Sequence, residues 1–177
     1  MKAIILPGNG GGSPEDNWSP YIERELVNLG IAVINTQFPD AELARKEYWL
    51  PFLKELEADE NTVLIGHSSG AVAAMRYAET NKVLGSVLVA PSITDLGYET
   101  EKASHYFDDP WDWTAIRNNQ QFILQFASID DPYIPLPQAH EIHKELKTEY
   151  YEFADRGHFG QPELPELVDA LKKALGK

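Results

Sequence analysis

Thr62-Val63-Leu64-Ile65-Gly66-His67-Ser68-Ser69-Gly70-Ala71-Val72-Ala73-Ala74-Met75-Arg76-Tyr77 carries the clearest structural signal in the chain. Val63 to Ile65 is the apolar run of a short buried strand, and Ala73, Ala74, Met75, Tyr77 and Ala78 continue at helical spacing. Between them the frame Gly66-x-Ser68-x-Gly70 predicts a sharp strand-to-helix turn. Such a turn strains the backbone of its central serine and holds the hydroxyl above the sheet. The residues two before and two after must be tiny so that strand and helix can pass. Ser68 fits that frame and Ser69 does not, because Ser69 would be flanked by His67 and Ala71. His67 is expected to point away from the nucleophile and to be structural.

Outward from this turn, strands alternate with helices. Ala3-Ile4-Ile5-Leu6 reads as a first strand, Trp18 to Leu29 as a helix and Ile31 to Ile34 as a second strand. A helix follows over about Ala41 to Ala58, which Pro51 should kink or split. After the turn come a strand at Val83 to Val89, a strand at Gln121 to Ala127 and a helix at about Pro137 to Leu146. Tyr150 to Phe153 is the last strand and Pro162 to Leu175 the last helix. Such alternation predicts one α/β domain over residues 1–177, a doubly wound, mostly parallel sheet of about six strands flanked by helices, with no large lid. Ligands in these sheets bind beyond the carboxyl ends of the strands, where Ser68 would stand.

One long excursion interrupts the alternation, Ala90 to Asn119, with a short helix expected around Asp112 to Arg117. It reads as a small aromatic-rich cap, and Tyr106, Trp111 and Trp113, with Trp18 of the first helix, are the candidate lining of a substrate pocket. Packing of these aromatics onto the sheet is the competing account.

Two further loops follow strands and carry chemistry. Asp130-Asp131-Pro132 follows the strand ending at Ala127, and Asp131, heading an Asp-x-x-Ile-Pro turn, is favoured over Asp130 as an acid that orients a histidine. Gly157-His158-Phe159 follows the last strand and offers His158 as the base, with His105 of the excursion as its rival. Ser68, Asp131 and His158 stand in the order nucleophile, acid, base, each after a different strand. Pro7-Gly8-Asn9-Gly10-Gly11-Gly12 is a poor phosphate loop, with Ser13 where a third glycine belongs and no following lysine. Backbone N–H groups of Asn9 or Gly10, opposite that of Ser69, suit an oxyanion better. His140 and His143 share a helix face, but no third metal ligand accompanies them.

Composition narrows the partners. A net charge of −13 argues against nucleic acid, and the absence of cysteine excludes disulfides and thiolate chemistry and suits a cytoplasmic setting. The first apolar run is too short for a signal peptide or a membrane span. The chemistry needs no cofactor or metal. The alternatives are a catalytically weak hydrolase-fold binding or scaffold module and a nucleotide-binding module built on Pro7 to Gly12.

Trp49-Leu50-Pro51-Phe52, Ile65 to Ala71, Ala74-Met75-Arg76-Tyr77-Ala78-Glu79-Thr80, Asp130-Asp131-Pro132 and Gly157-His158-Phe159, with Pro7 to Gly12, resemble the retinoblastoma-binding protein 9-like small serine hydrolases of the α/β-hydrolase superfamily. The likeness runs in the same order over nearly the whole chain. It implies Ser68, Asp131 and His158 as a triad and hydrolysis of small ester, amide or aminoacyl substrates. That group's retinoblastoma-protein contact uses a Leu-x-Cys-x-Glu segment. Leu56-Glu57-Ala58-Asp59-Glu60 stands here without the cysteine, so that partnership is not expected.

Overall fold

The alternation resolves, in a computed structural model covering residues 1–177, into one six-stranded sheet whose five strand pairings are all parallel. The elements are β1 (Lys2–Leu6), α1 (Ser19–Asn28), β2 (Ala32–Ile34), α2 (Lys46–Glu55), β3 (Thr62–His67), α3 (Ser69–Thr80) and β4 (Gly85–Val89). They continue as α4 (Glu99–Ala103), α5 (Trp113–Asn118), β5 (Phe122–Ser128), α6 (Leu136–Leu146), β6 (Glu149–Phe153) and α7 (Pro165–Ala174). No helix is long and apolar enough to cross a membrane.

Strand order β2-β1-β3-β4-β5-β6 puts the reversal of winding between β1 and β3. The chain leaves β1 through α1 on one face and leaves β3 through α3 on the other, so a crevice opens at their carboxyl ends. Each face has its own core. Ile4, Leu6, Trp49, Leu64, Tyr77 and Ile142 belong to one, and Ile5, Trp18, Ile22, Ile65, Leu167 and Leu171 to the other. Alternate residues of β1 and β3 thus serve opposite faces, and the strands read as unbroken apolar runs because both faces are covered.

The second helix is shorter than its sequence pattern. Asp40 and Ala44 take left-handed φ of 49° and 52°, and the Asp40 carboxylate receives both the Arg45 amide (3.1 Å) and its Nε (2.8 Å). This turn consumes residues 41–44, and α2 then runs on through Pro51 without dividing. The excursion holds one helix that periodicity did not reveal, the five-residue α4.

Candidate active site

Steric exclusion builds the elbow. Ser68 has φ 53° and ψ −119°, which costs strain of about 1–3 kcal/mol and turns its side chain out of the sheet. A Cβ on Gly66 would lie 2.4 Å from the Gly70 backbone, and one on Gly70 would lie 2.4 Å from the Leu6 carbonyl oxygen. Strand, helix and β1 therefore touch backbone to backbone, as the motif requires. The Ser68 amide donates to the Val89 carbonyl (2.8 Å), which ties the turn to β4.

Opposite the elbow, the adjacent carboxylates after β5 do different work. Asp131 Oδ2 accepts from His158 Nδ1 at 2.8 Å, while its Oδ1 accepts the amides of Tyr133 (2.9 Å) and Ile134 (3.0 Å). The carboxylate is held on three sides, with a side chain only 3% exposed against 20% for His158. Because a carboxylate accepts, Nδ1 is the donor of this bond, and in the neutral imidazole the lone pair is then on Nε2. Asp130 Oδ1 instead receives Ser128 Oγ (2.6 Å) and the Gly157 amide (2.8 Å), clamping the β6 loop to the end of β5. Those hydrogen bonds, Ser128 first, hold the Asp130 carboxyl below its ordinary range.

His67 supports the same loop. Its Nε2 donates to the His158 carbonyl at 2.8 Å, and its ring lies between those of Trp18 (5.7 Å) and His158 (5.0 Å). Burial, followed by the charge of His158, pushes the His67 imidazole down to about 4, so it stays neutral and acts as a fixed donor at neutral pH. His67 is thus structural, and what it holds is the backbone of His158.

These groups border a cavity of about 390 Å³. Ser68 and His158 both line it, although no hydrogen bond joins Ser68 Oγ to the ring, as is common before substrate tightens such a site. Asn9 and Ser69 border it too. The Asn9 amide donates to nothing in the protein, and the Ser69 amide opens α3, where no carbonyl of its own helix can reach it. Gly10 lies off the cavity and donates its amide to the Glu42 carbonyl (2.9 Å), so of the pair Asn9 and Gly10 only Asn9 has a free donor there.

The expected pocket lining is corrected in three of its four members. Trp18 faces the cavity, but Tyr106, Trp111 and Trp113 pack on the core around α3. Trp113 stacks on Trp111 with ring centres 5.4 Å apart, and Arg76 anchors this segment. Its Nε donates to the Tyr106 carbonyl (2.7 Å), Nη2 to Asp109 (2.6 Å) and Nη1 to Pro110 (3.1 Å) and Glu79 (2.7 Å), with the guanidinium 3.7 Å from the centre of the Trp111 ring. A lone arginine on the buried face of an alanine-rich helix was the available signal. The wall is made instead by Leu96, Tyr98, Thr100 and Glu101 from the first half of the excursion, and by Tyr133 and Ile134 beside Asp131. His105 pairs with Asp108 at the surface, His140 with Glu152 and His143 with Thr148, all away from the cavity.

Comparison with known proteins agrees with this architecture. The serine hydrolase RBBP9 of Rattus norvegicus is 45% identical over 177 residues, covering 98% of this chain and 95% of that one. Among solved structures, the ydeN gene product of Bacillus subtilis superposes with a TM-score of 0.87 at 24% identity over the whole of both chains. Est1E of Butyrivibrio proteoclasticus, solved with ferulic acid bound, reaches 0.77 at 13% identity over 99% of this chain and 88% of that one. The last two likenesses concern the fold alone. The model of the serine hydrolase family matches residues 3–170, and with the relative above it shows that this chain belongs to the serine hydrolases.

Proposed function

We propose that the chain cleaves small ester, amide or aminoacyl substrates through an acyl-enzyme on Ser68, with His158 as general base and Asp131 as its orienting acid. The observation that carries this reading is the 2.8 Å bond from His158 Nδ1 to Asp131, which leaves Nε2 as a lone pair on the cavity that Ser68 also lines. Ser68 Oγ attacks the substrate carbonyl as His158 Nε2 takes its proton. The oxygen becomes an oxyanion between the amides of Ser69 and Asn9, each worth about 3 kcal/mol in such a position. The carbonyl reforms, the bond to the leaving group breaks, and the imidazolium, steadied by Asp131, hands over the proton. Water then attacks the acyl group by the same route and frees Ser68.

Cavity volume and lining bear on the substrate. About 390 Å³ suits a small molecule, and no Lys or Arg stands on the wall to pair with an anionic acyl group. The decisive experiment is Ser68→Ala. It should abolish turnover of a p-nitrophenyl ester and labelling by a fluorophosphonate while the protein keeps its circular dichroism. Undiminished labelling of that variant would move the nucleophile elsewhere.

A further inference from the structure

We propose that Glu101 is a positioning residue, a latch that joins the roof of the cavity to both residues whose amides receive the oxyanion; the proposal rests on the mechanism above. Glu101 Oε1 accepts from Asn9 Nδ2 at 2.6 Å and from Ser69 Oγ at 3.3 Å. One carboxyl oxygen thus spans the loop after β1 and the first residue of α3, the two segments whose separation sets the width of the oxyanion site. Nothing else joins them through side-chain hydrogen bonds at this point. Asn9 sits in a glycine-rich loop, where the tie to Glu101 is the only hydrogen bond its side chain makes.

The latch also faces the other way. Within α4 the side chain of Glu101 makes the only hydrogen bonds to residues outside the excursion, since Lys102 and Glu99 pair with each other. A five-residue helix has no stability of its own, so its place over the cavity depends on such anchoring. The cavity wall and the amides would therefore move together.

A carboxylate beside a developing oxyanion would oppose it. Burial raises the Glu101 carboxyl above its ordinary range and Asp95 acts in the same direction, whereas the hydrogen bonds from Ser69 and Asn9, then His158, pull it back. Tyr106, packed nearby, stays neutral because burial raises its hydroxyl well above the usual range. What the latch needs from Glu101 is an acceptor oxygen rather than a charge, and glutamine supplies one.

The test compares Glu101→Ala with Glu101→Gln on p-nitrophenyl acetate. Ser68→Ala run alongside separates the two ideas, because turnover that survives it counts against the mechanism and not against the latch. For Glu101→Ala, kcat should fall about 10- to 100-fold with KM within about twofold, as for a misplaced oxyanion donor. Glu101→Gln should recover most of the loss. Should Glu101→Ala fail to fold, Asn9→Ala severs the same tie while keeping the Asn9 amide, and should show the same loss in kcat. A kcat for Glu101→Ala within about threefold of wild type, an effect confined to KM, or a Gln variant as damaged as the Ala variant would overturn the proposal.

Discussion

The elbow at Gly66 to Gly70 and the roof at Ala90 to Asn119 border one cavity but are held there by different forces. In the elbow, volume decides. Backbones approach so closely that only glycine fits on either side of Ser68, and α3 is buried from Ser69 to Ala78. In the roof, polar ties decide: Arg76 pins the backbone of Tyr106, Asp109 and Pro110, and Glu101 pins α4. A feature fixed by excluded volume leaves its mark in local sequence, because the small residues must occur at set spacings. A feature fixed by hydrogen bonds between residues far apart in the chain leaves almost none, because neither partner's local pattern names the other.

Substitutions test this contrast. The largest effect is expected from Gly70→Ala, whose Cβ would meet the Leu6 carbonyl oxygen at 2.4 Å. Stability should fall by about 3 kcal/mol in chemical denaturation, and ester turnover by more than about 100-fold, because the elbow itself must shift. Near-wild-type stability there would end the claim that volume holds the elbow.

Next is Arg76→Met, which keeps bulk on α3 and removes the donors. Three carbonyls and the Glu79 carboxylate lose their partner, so stability should fall by about 2–3 kcal/mol. Fluorophosphonate labelling of Ser68 should persist, since the elbow does not depend on this arginine. A variant as stable as wild type would mean that aromatic packing, not the guanidinium, holds the second half of the excursion.

The smallest pair separates the two halves of the excursion. Leu96→Ala should raise KM for a phenyl ester by about tenfold through lost apolar contact, while Trp113→Ala should leave KM within about twofold. Equal effects would return Trp113 to the pocket.

Most of the fold was legible in the chain. Continuous apolar runs such as Ala3 to Leu6 and Val63 to Ile65 mark strands covered on both faces, and the intervening helical stretches force parallel crossovers. The misreadings have different causes, one local and one distant. Residues 41–44 look helical by composition, but Asp40 and Ala44 take left-handed conformations, stabilised where the Asp40 carboxylate clasps Arg45. Tyr106, Trp111 and Trp113 look like pocket material, but the buried Arg76 guanidinium holds the Tyr106 carbonyl and the Trp111 ring, Trp113 stacks on Trp111, and all three pack on the core beside α3. In the candidate site, Asp131 was separable from Asp130 only by turn chemistry, and the coordinates give the two carboxylates different partners, His158 and Gly157.

By itself, then, the sequence determined the alternating α/β layers, the strained serine between two glycines and the order of Ser68, Asp131 and His158 along the chain. These follow from hydrophobic period and steric exclusion, which act between neighbours in sequence. Only the tertiary structure decided which aromatics face the cavity, that His67 holds the His158 backbone, that the Gly10 amide is already spent, and that Glu101 reaches both Asn9 and Ser69. Each of those is a hydrogen bond or a packing choice between residues far apart in the chain, and no local pattern encodes which distant partner a donor will meet.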